Sequence, residues 1–235
     1  LSVYIVIILL SVLFQNCGEK EAVFSSMVPQ DLGTKGGGNC VQGQRLGVWL
    51  DSNDDGSKDA YLGSFVSYEG TETAAENYNY YSASAHPKIG PEPVDNKAHV
   101  FFYDGHDGLT LNFYSNIDAG GSDDDIFDLD AAISGNELAD SVLLSDDGNE
   151  LKLKSTSGDS NYYEGRFHYW NNTDGGVIGP FVTENFNIQV KVLKDGSDIN
   201  EATFYSSNGQ SMSLSTADAT FSSFIVGYKS YEDCQ

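Results

Sequence analysis

Basic residues are scarce in this chain. It has 12 Lys and Arg against 35 Asp and Glu, which gives a formal net charge of −23 over 235 residues. Nucleic-acid affinity comes largely from Lys and Arg that displace counterions from phosphates, and adsorption to an anionic lipid surface also needs positive charge. The composition therefore excludes nucleic acid as a partner and disfavours a membrane contact made by charge alone.

The sequence also lacks the common catalytic motifs. There is no G-x-S-x-G elbow for a serine nucleophile, no H-E-x-x-H zinc motif and no phosphate-cradling P-loop. Glycoside hydrolases hold two catalytic carboxylates at a characteristic separation. In a chain with so many acidic residues some pair will have that separation by chance, so this criterion cannot identify a hydrolase here. The four histidines have no spacing typical of a compact zinc site: His86, His99, His106 and His168. We therefore expect a protein without catalytic activity.

One long apolar run is present, over residues 1–14, and it is shorter than the roughly 20 residues of a membrane-spanning helix. It is typical of a secretory signal, which we assign to residues 1–16. The segment that follows, Leu13-Phe14-Gln15-Asn16-Cys17-Gly18, resembles the lipobox of bacterial lipoproteins. The resemblance implies cleavage before Cys17, acylation of that residue, and a place in the bacterial cell envelope with the lipid as the sole membrane contact. A signal cut elsewhere and an uncleaved anchor are the alternatives.

Cysteine is rare, with three residues in all, and an odd number in an exported chain leaves one to be explained. If Cys17 carries lipid, Cys40 and Cys234 remain as a pair. A disulfide between them would close nearly the whole domain, where the chain-entropy model gives about 4–5 kcal/mol of stabilisation. It would need the oxidising environment that export provides. The alternative is two unrelated thiols.

The rest of the chain divides into a tether and a folded part. Residues 17–39 are small and polar, contain three consecutive glycines at 36–38 and predict a flexible tether. From residue 40 onward, short aromatic and β-branched runs alternate with clusters of Gly, Asp, Asn and Ser, which is typical of strands and turns. Residues 109–114 and 186–192 alternate between apolar and polar, as antiparallel strands with one wet face do. We expect an all-β fold, a single antiparallel β-sandwich or jelly-roll-like domain over 40–235.

Twelve strands are predicted, together with one short helical stretch at 71–78. The predicted strands cover 45–50, 61–68, 98–103, 109–114, 126–133, 141–144, 151–154, 162–170, 186–193, 202–205, 212–214 and 221–228.

The sharpest motif is the stretch Asp51-Ser52-Asn53-Asp54-Asp55-Gly56-Ser57-Lys58-Asp59, which resembles the D-x-N-x-D-G core of EF-hand-type calcium loops. Alternate oxygen-bearing side chains in a tight loop can converge on Ca²⁺, which prefers six to eight oxygens. The resemblance implies Ca²⁺ as cofactor, with these ligands: Asp51, Asn53, Asp55, Ser57 and Asp59. Leu62 stands where an EF-hand has its bidentate Glu, so we expect weak binding, about 0.1–1 mM. A polar hairpin loop is the alternative.

Four other acidic stretches could hold a second ion, especially if two loops meet, but each is more simply a solvated turn. They are 104–108, 118–125, 146–150 and 171–176. Short turn-rich motifs within 109–178 also resemble those of uncharacterised exported bacterial β-domains, and this resemblance implies no activity.

These observations lead to one main functional expectation and two alternatives. The main one is a non-catalytic, calcium-stabilised envelope lipoprotein that acts as a binding or adhesion module for a protein or glycan partner. The first alternative is a carbohydrate-binding module or a glycan-active enzyme, because exposed aromatic residues could stack on sugar rings. The aromatic residues in question are those within 78–81 and Trp49, Tyr162, Tyr163 and Trp170. Core packing is the competing explanation for their presence. The second alternative is a structural envelope component.

Overall fold

The structure, a computed structural model, describes residues 45–79, 86–116, 125–134, 142–169, 173–181, 186–195, 201–214 and 223–229. Within these ranges the chain forms fourteen β-strands and one short α-helix, so the predicted all-β class is confirmed. The described residues all belong to one compact unit. The strands are β1 Arg45–Asp51, β2 Ala60–Phe65, β3 Tyr68–Glu69, β4 Lys97–Gly105, β5 Gly108–Asn116, β6 Asp125–Ser134, β7 Val142–Ser145, β8 Leu151–Ser157, β9 Ser160–Tyr169, β10 Thr173–Phe181, β11 Asn187–Asp195, β12 Glu201–Tyr205, β13 Ser211–Ser213 and β14 Ser223–Lys229, and the helix α1 is Ala74–Tyr78.

The strands form two sheets of seven. Sheet I has the order β2-β1-β14-β11-β6-β9-β8, and sheet II has the order β13-β12-β4-β5-β10-β7 with β3 pairing β4. All neighbours are antiparallel except β12 with β4 and β3 with β4, which are parallel. Two neighbouring strands, β1 and β14, come from opposite ends of the described chain, and Arg45 pairs with Lys229.

The main core lies between the two sheets. Alternate residues of β4 and β5 face the interior of the sandwich, as the sequence pattern predicts for strands with two different faces. Phe102 contacts the rings of Phe181, Phe186 and Phe204, with ring centroids about 6 Å apart. Both sheets supply buried side chains to this core: Leu46, Val48, Phe167, Ile188 and Val226 from sheet I and Val100, Phe102, Leu111, Phe113 and Ile178 from sheet II.

A second apolar layer covers the outer face of sheet II, where α1 packs. It contains Ala74, Tyr78, Phe101, Tyr103, Tyr114 and Val177. The helix begins at Thr73, whose side chain accepts a hydrogen bond from the Glu76 amide while Glu76 bonds back to the Thr73 amide. Asp107, from the β4–β5 turn, also accepts from the Ala74 amide. The helix ends at Asn79, which is left-handed.

All twelve predicted strands overlap observed ones, and the helical stretch is confirmed in its second half. The range 61–68 is split, because β2 lies in sheet I and β3 in sheet II. The interpretation of 171–176 as a solvated turn is wrong, since residues 173–176 begin the buried strand β10 between β5 and β7.

No helix among the described residues is long and apolar enough to cross a membrane.

Candidate functional site

The calcium-like motif forms the loop between β1 and β2, as its strand-like flanks predict. The amide of Asp59 donates to the carbonyl of Leu50 at 2.9 Å, which closes the loop at its base. Two residues inside it have positive φ, Asp54 at 59° and Gly56 at 81°. Glycine enters this region without steric cost and aspartate does so more easily than most residues, so the local sequence suits a tight coil.

Asp51 is the centre of this loop. Its side chain is only 1% exposed. One carboxylate oxygen accepts from the Asp55 amide at 3.1 Å, and the other accepts from the Gly56 amide at 2.9 Å. The loop therefore wraps its backbone donors around the first acidic residue of the motif, and these hydrogen bonds satisfy the buried side chain.

The remaining motif residues bond to one another at the surface. Ser52 donates from both its amide and its hydroxyl to the Asp59 carboxylate, at 2.8 and 2.5 Å. Asp55 accepts from the Ser57 amide and from the Asn53 side-chain amide, both at 2.9 Å.

These bonds keep both exposed acids ionised. Hydrogen bonds from Ser57 hold the pKa of Asp55 below its ordinary value, and hydrogen bonds from Ser52 do the same for the pKa of Asp59. Both side chains are therefore carboxylates at neutral pH.

Two residues of β11 also hold the loop, and no motif in the sequence points to them. The Gln189 side chain donates to Asp51 at 2.8 Å and to Asp54 at 3.2 Å. Lys191 pairs with Asp54. Because these contacts link residues about 137 positions apart, only the pairing of β1, β14 and β11 could reveal them.

The fit of this loop to Ca²⁺ is partial. The motif supplies the hard oxygen donors that the ion prefers. In the arrangement observed, however, the carboxylates of Asp51, Asp55 and Asp59 accept hydrogen bonds from the loop itself. Among the described residues, no three or more His, Cys, Asp or Glu side chains lie close enough together to hold a metal ion. Calcium binding would require Asn53, Asp55 and Asp59 to exchange these bonds for the ion.

A second acidic group forms where two of the acidic stretches meet. Asp146 and Glu150, in the β7–β8 turn, lie against Asp174 at the start of β10, and we call these three residues the carboxyl cluster. Asp146 is 7% exposed and Asp174 is 3% exposed. Asp146 accepts from the hydroxyl of Tyr78 at 3.1 Å, and its amide donates to the Gly175 carbonyl at 3.0 Å.

The surroundings of the carboxyl cluster raise the pKa values of its buried aspartates. Burial raises the pKa of Asp146 to about 7. Burial, and then the neighbouring Glu150 carboxyl with which it shares a hydrogen bond, raises the pKa of Asp174 far above its ordinary value. The second oxygen of Asp174 has no hydrogen-bond donor among the described residues. Burial and the acidic neighbours therefore favour the protonated forms of Asp146 and Asp174.

Three of the four described aromatic residues considered for sugar stacking are buried. Tyr78 and Tyr163 are fully buried, and Trp49 is buried with Lys58 over its ring at 3.9 Å. Of this set only Tyr162 is exposed in the described residues, at 36%. Core packing therefore explains Tyr78 and Tyr163, while Tyr80, Tyr81 and Trp170 lie outside the described residues.

One of the four histidines is buried in the outer layer of sheet II. The His99 ring stacks between Tyr114 and Tyr205, with ring centroids 4.5 and 5.3 Å away. Burial lowers its pKa to about 4, so the ring is neutral at physiological pH.

Three predicted positions cannot be placed, because Cys17, Cys40 and Cys234 lie outside the described residues. No protein-family model, curated protein or solved structure matches this chain.

Proposed function

We propose that this chain is a non-catalytic binding or adhesion module of the bacterial cell envelope, whose β1–β2 loop binds Ca²⁺. In this proposal Cys17 is acylated and supplies the membrane contact, and Cys40 and Cys234 form a disulfide. The partner is a protein or a glycan that meets the loops at an end of the sandwich. Calcium keeps the β1–β2 loop in one shape by neutralising its carboxylates.

The observation that carries the calcium part is the coil of the loop around Asp51. The amides of Asp55 and Gly56 already point at its buried carboxylate, so the backbone has the tight turn that the motif needs. Of the four acids in this loop, Asp54 has a cationic partner among the described ion pairs, in Lys191. Asp51, Asp55 and Asp59 thus concentrate negative charge that a divalent ion would offset.

Calcium is expected to stabilise the protein measurably. With a Kd of about 0.1–1 mM, 10 mM Ca²⁺ should add about 1.4–2.7 kcal/mol to the free energy of unfolding. We expect the melting temperature of the full chain in detergent to fall in EDTA and to recover with Ca²⁺, but not with Na⁺ at equal ionic strength. Differential scanning calorimetry measures this shift.

Matched variants locate the effect. Asp55→Asn and Asp59→Asn should lose most of the calcium response, because each replaces a ligand carboxylate by a neutral amide. Asp159→Asn, at an exposed turn between β8 and β9, should keep it. A melting temperature that is the same in EDTA and in Ca²⁺ would refute the calcium site.

The anchor is tested separately from the loop. The lipobox-like segment supports acylation of Cys17, so the protein expressed in a bacterium with its own signal should fractionate with membranes. Its intact mass should exceed that of the chain from Cys17 onward by the acyl groups. Cys17→Ser should move the protein into the soluble fraction. Membrane association that survives this substitution, or a mass without lipid, would show that the anchor is wrong.

A further inference from the structure

The carboxyl cluster lies at a junction between the two sheets. The β7–β8 turn leads from sheet II into sheet I, and its residues bond to both. Asp146 donates its amide to Gly175 of β10 at 3.0 Å, while the Glu150 carbonyl accepts from the Arg166 amide of β9 at 2.8 Å. These bonds bring the side chains of Asp146 and Glu150 to Asp174, which is only 3% exposed.

The charged neighbours of the cluster make full ionisation unfavourable. The groups that act most strongly on Asp174 are Glu150, Asp146 and Asp147, and all of them are acidic. From α1 the neighbour is the neutral hydroxyl of Tyr78, and from β5 the residue paired with Asp174 is Ser115. On β9, Arg166 has its guanidinium beside Glu164 at 3.8 Å.

We propose that the carboxyl cluster is a proton-dependent latch, which closes the β7–β8 turn on β10 while it holds its protons and releases the turn when they leave. The geometry favours a proton at this place. Asp146 and Asp174 are both buried, and the second oxygen of Asp174 accepts no hydrogen bond from the described residues. Ionised carboxyl groups gathered in this way repel strongly where water is excluded. When the protons leave, the turn is the part that can move outward, because Asp147, Gly148 and Asn149 are exposed and Asp174 belongs to an inner strand of sheet II.

The sign of the pH dependence follows from proton retention. The pKa values of Asp146 and Asp174 are raised in the folded state, so the folded chain keeps protons that the unfolded chain has released above about pH 4. The latch therefore weakens as pH rises. Asp146 loses its proton first, as pH passes its pKa of about 7, and Asp174 loses its proton at higher pH.

Hydrogen exchange of the full chain in detergent tests the latch at pH 6 and pH 9, after correction for the chemical exchange rate. In the wild type we expect protection of peptides covering 142–151 to fall at least tenfold over this range, while peptides covering 97–105 keep theirs. In Asp174→Asn the fall in protection should be at least threefold smaller than in the wild type, because Asp146 still ionises but residue 174 cannot. Asp146→Asn is the second variant if the first fails to fold, and Asp159→Asn should behave as the wild type does.

Several results would overturn the latch. One is a wild-type turn that stays equally protected at both pH values, and another is an Asn variant that loses protection as the wild type does. Parallel loss in 97–105 would mean global destabilisation. Recovery at pH 9 with Ca²⁺ or Mg²⁺ but not Na⁺ would make the cluster a cation site. None of these results bears on the β1–β2 loop, which is tested by its own variants.

Discussion

Gly175→Ala is expected to be among the most damaging single substitutions in this protein. A Cβ added at Gly175 would lie 2.2 Å from the carbonyl oxygen of Phe113 and 2.7 Å from the Cα of Tyr114. Both are backbone atoms of the neighbouring strand β5, so relief requires the strands to separate. Overpacking in a core costs about 1–3 kcal/mol, and a backbone clash places this change at about 3 kcal/mol or more. The melting temperature should fall by roughly 6–12 °C.

Gly148→Ala is the matched control for this substitution. Gly148 lies in the nearby β7–β8 turn, and a Cβ there would meet nothing within 4 Å. Its effect should stay within about 0.5 kcal/mol, as for most surface substitutions. Equal melting temperatures for the two variants, measured by calorimetry, would mean that β10 does not pack against β5 as described.

Asp51→Ala should cost about 2–3 kcal/mol even in EDTA. The substitution removes the acceptor for the amides of Asp55 and Gly56 and for the side chain of Gln189, which leaves donors without partners in a part-buried place. Chemical denaturation in EDTA measures the structural part of the loss, because no calcium is then present in either protein. The same measurement in 10 mM Ca²⁺ adds any part that depends on the ion.

Asp54→Ala is the control for Asp51. The Asp54 side chain is 45% exposed and pairs with Lys191, and an exposed ion pair contributes about 0–1 kcal/mol. If Asp51→Ala is no more destabilising than Asp54→Ala in EDTA, the coil of the loop does not depend on Asp51.

The sequence was most informative where side chains alternate. In β5 the residues Leu109, Leu111 and Phe113 face the main core, and their apolar character at every second position predicts the strand and its buried face. The boundaries of the β1–β2 loop were also predictable, since Asp, Asn and Gly mark turns and the flanks contain apolar residues. Local chemistry of this kind needs no knowledge of the partner strands.

The strand β10 is not predicted from the sequence, because its glycines are required by the close approach of the neighbouring strands rather than by a turn. Gly175 and Gly176 indicate a turn when considered alone, but they lie in an inner strand where a Cβ would collide with β5 on one side and with the Leu144 carbonyl on the other. The meeting of Asp146 with Asp174 was unpredictable for the same reason, because it depends on β10 lying beside β7. Gln189 and Lys191 likewise reach the β1–β2 loop through sheet order alone.

The pairing of β1 with β14 joins the first and last of the described strands. In sheet I the β1–β2 hairpin is attached to β11 and the strands beyond it through Ser223–Lys229. During synthesis this hairpin emerges well before β14, so it must wait for that strand before β1 gains its second neighbour. Assembly of sheet I is thus a non-local and slow event, and the hairpin's acidic loop takes its place beside Gln189 and Lys191 only once β14 is available.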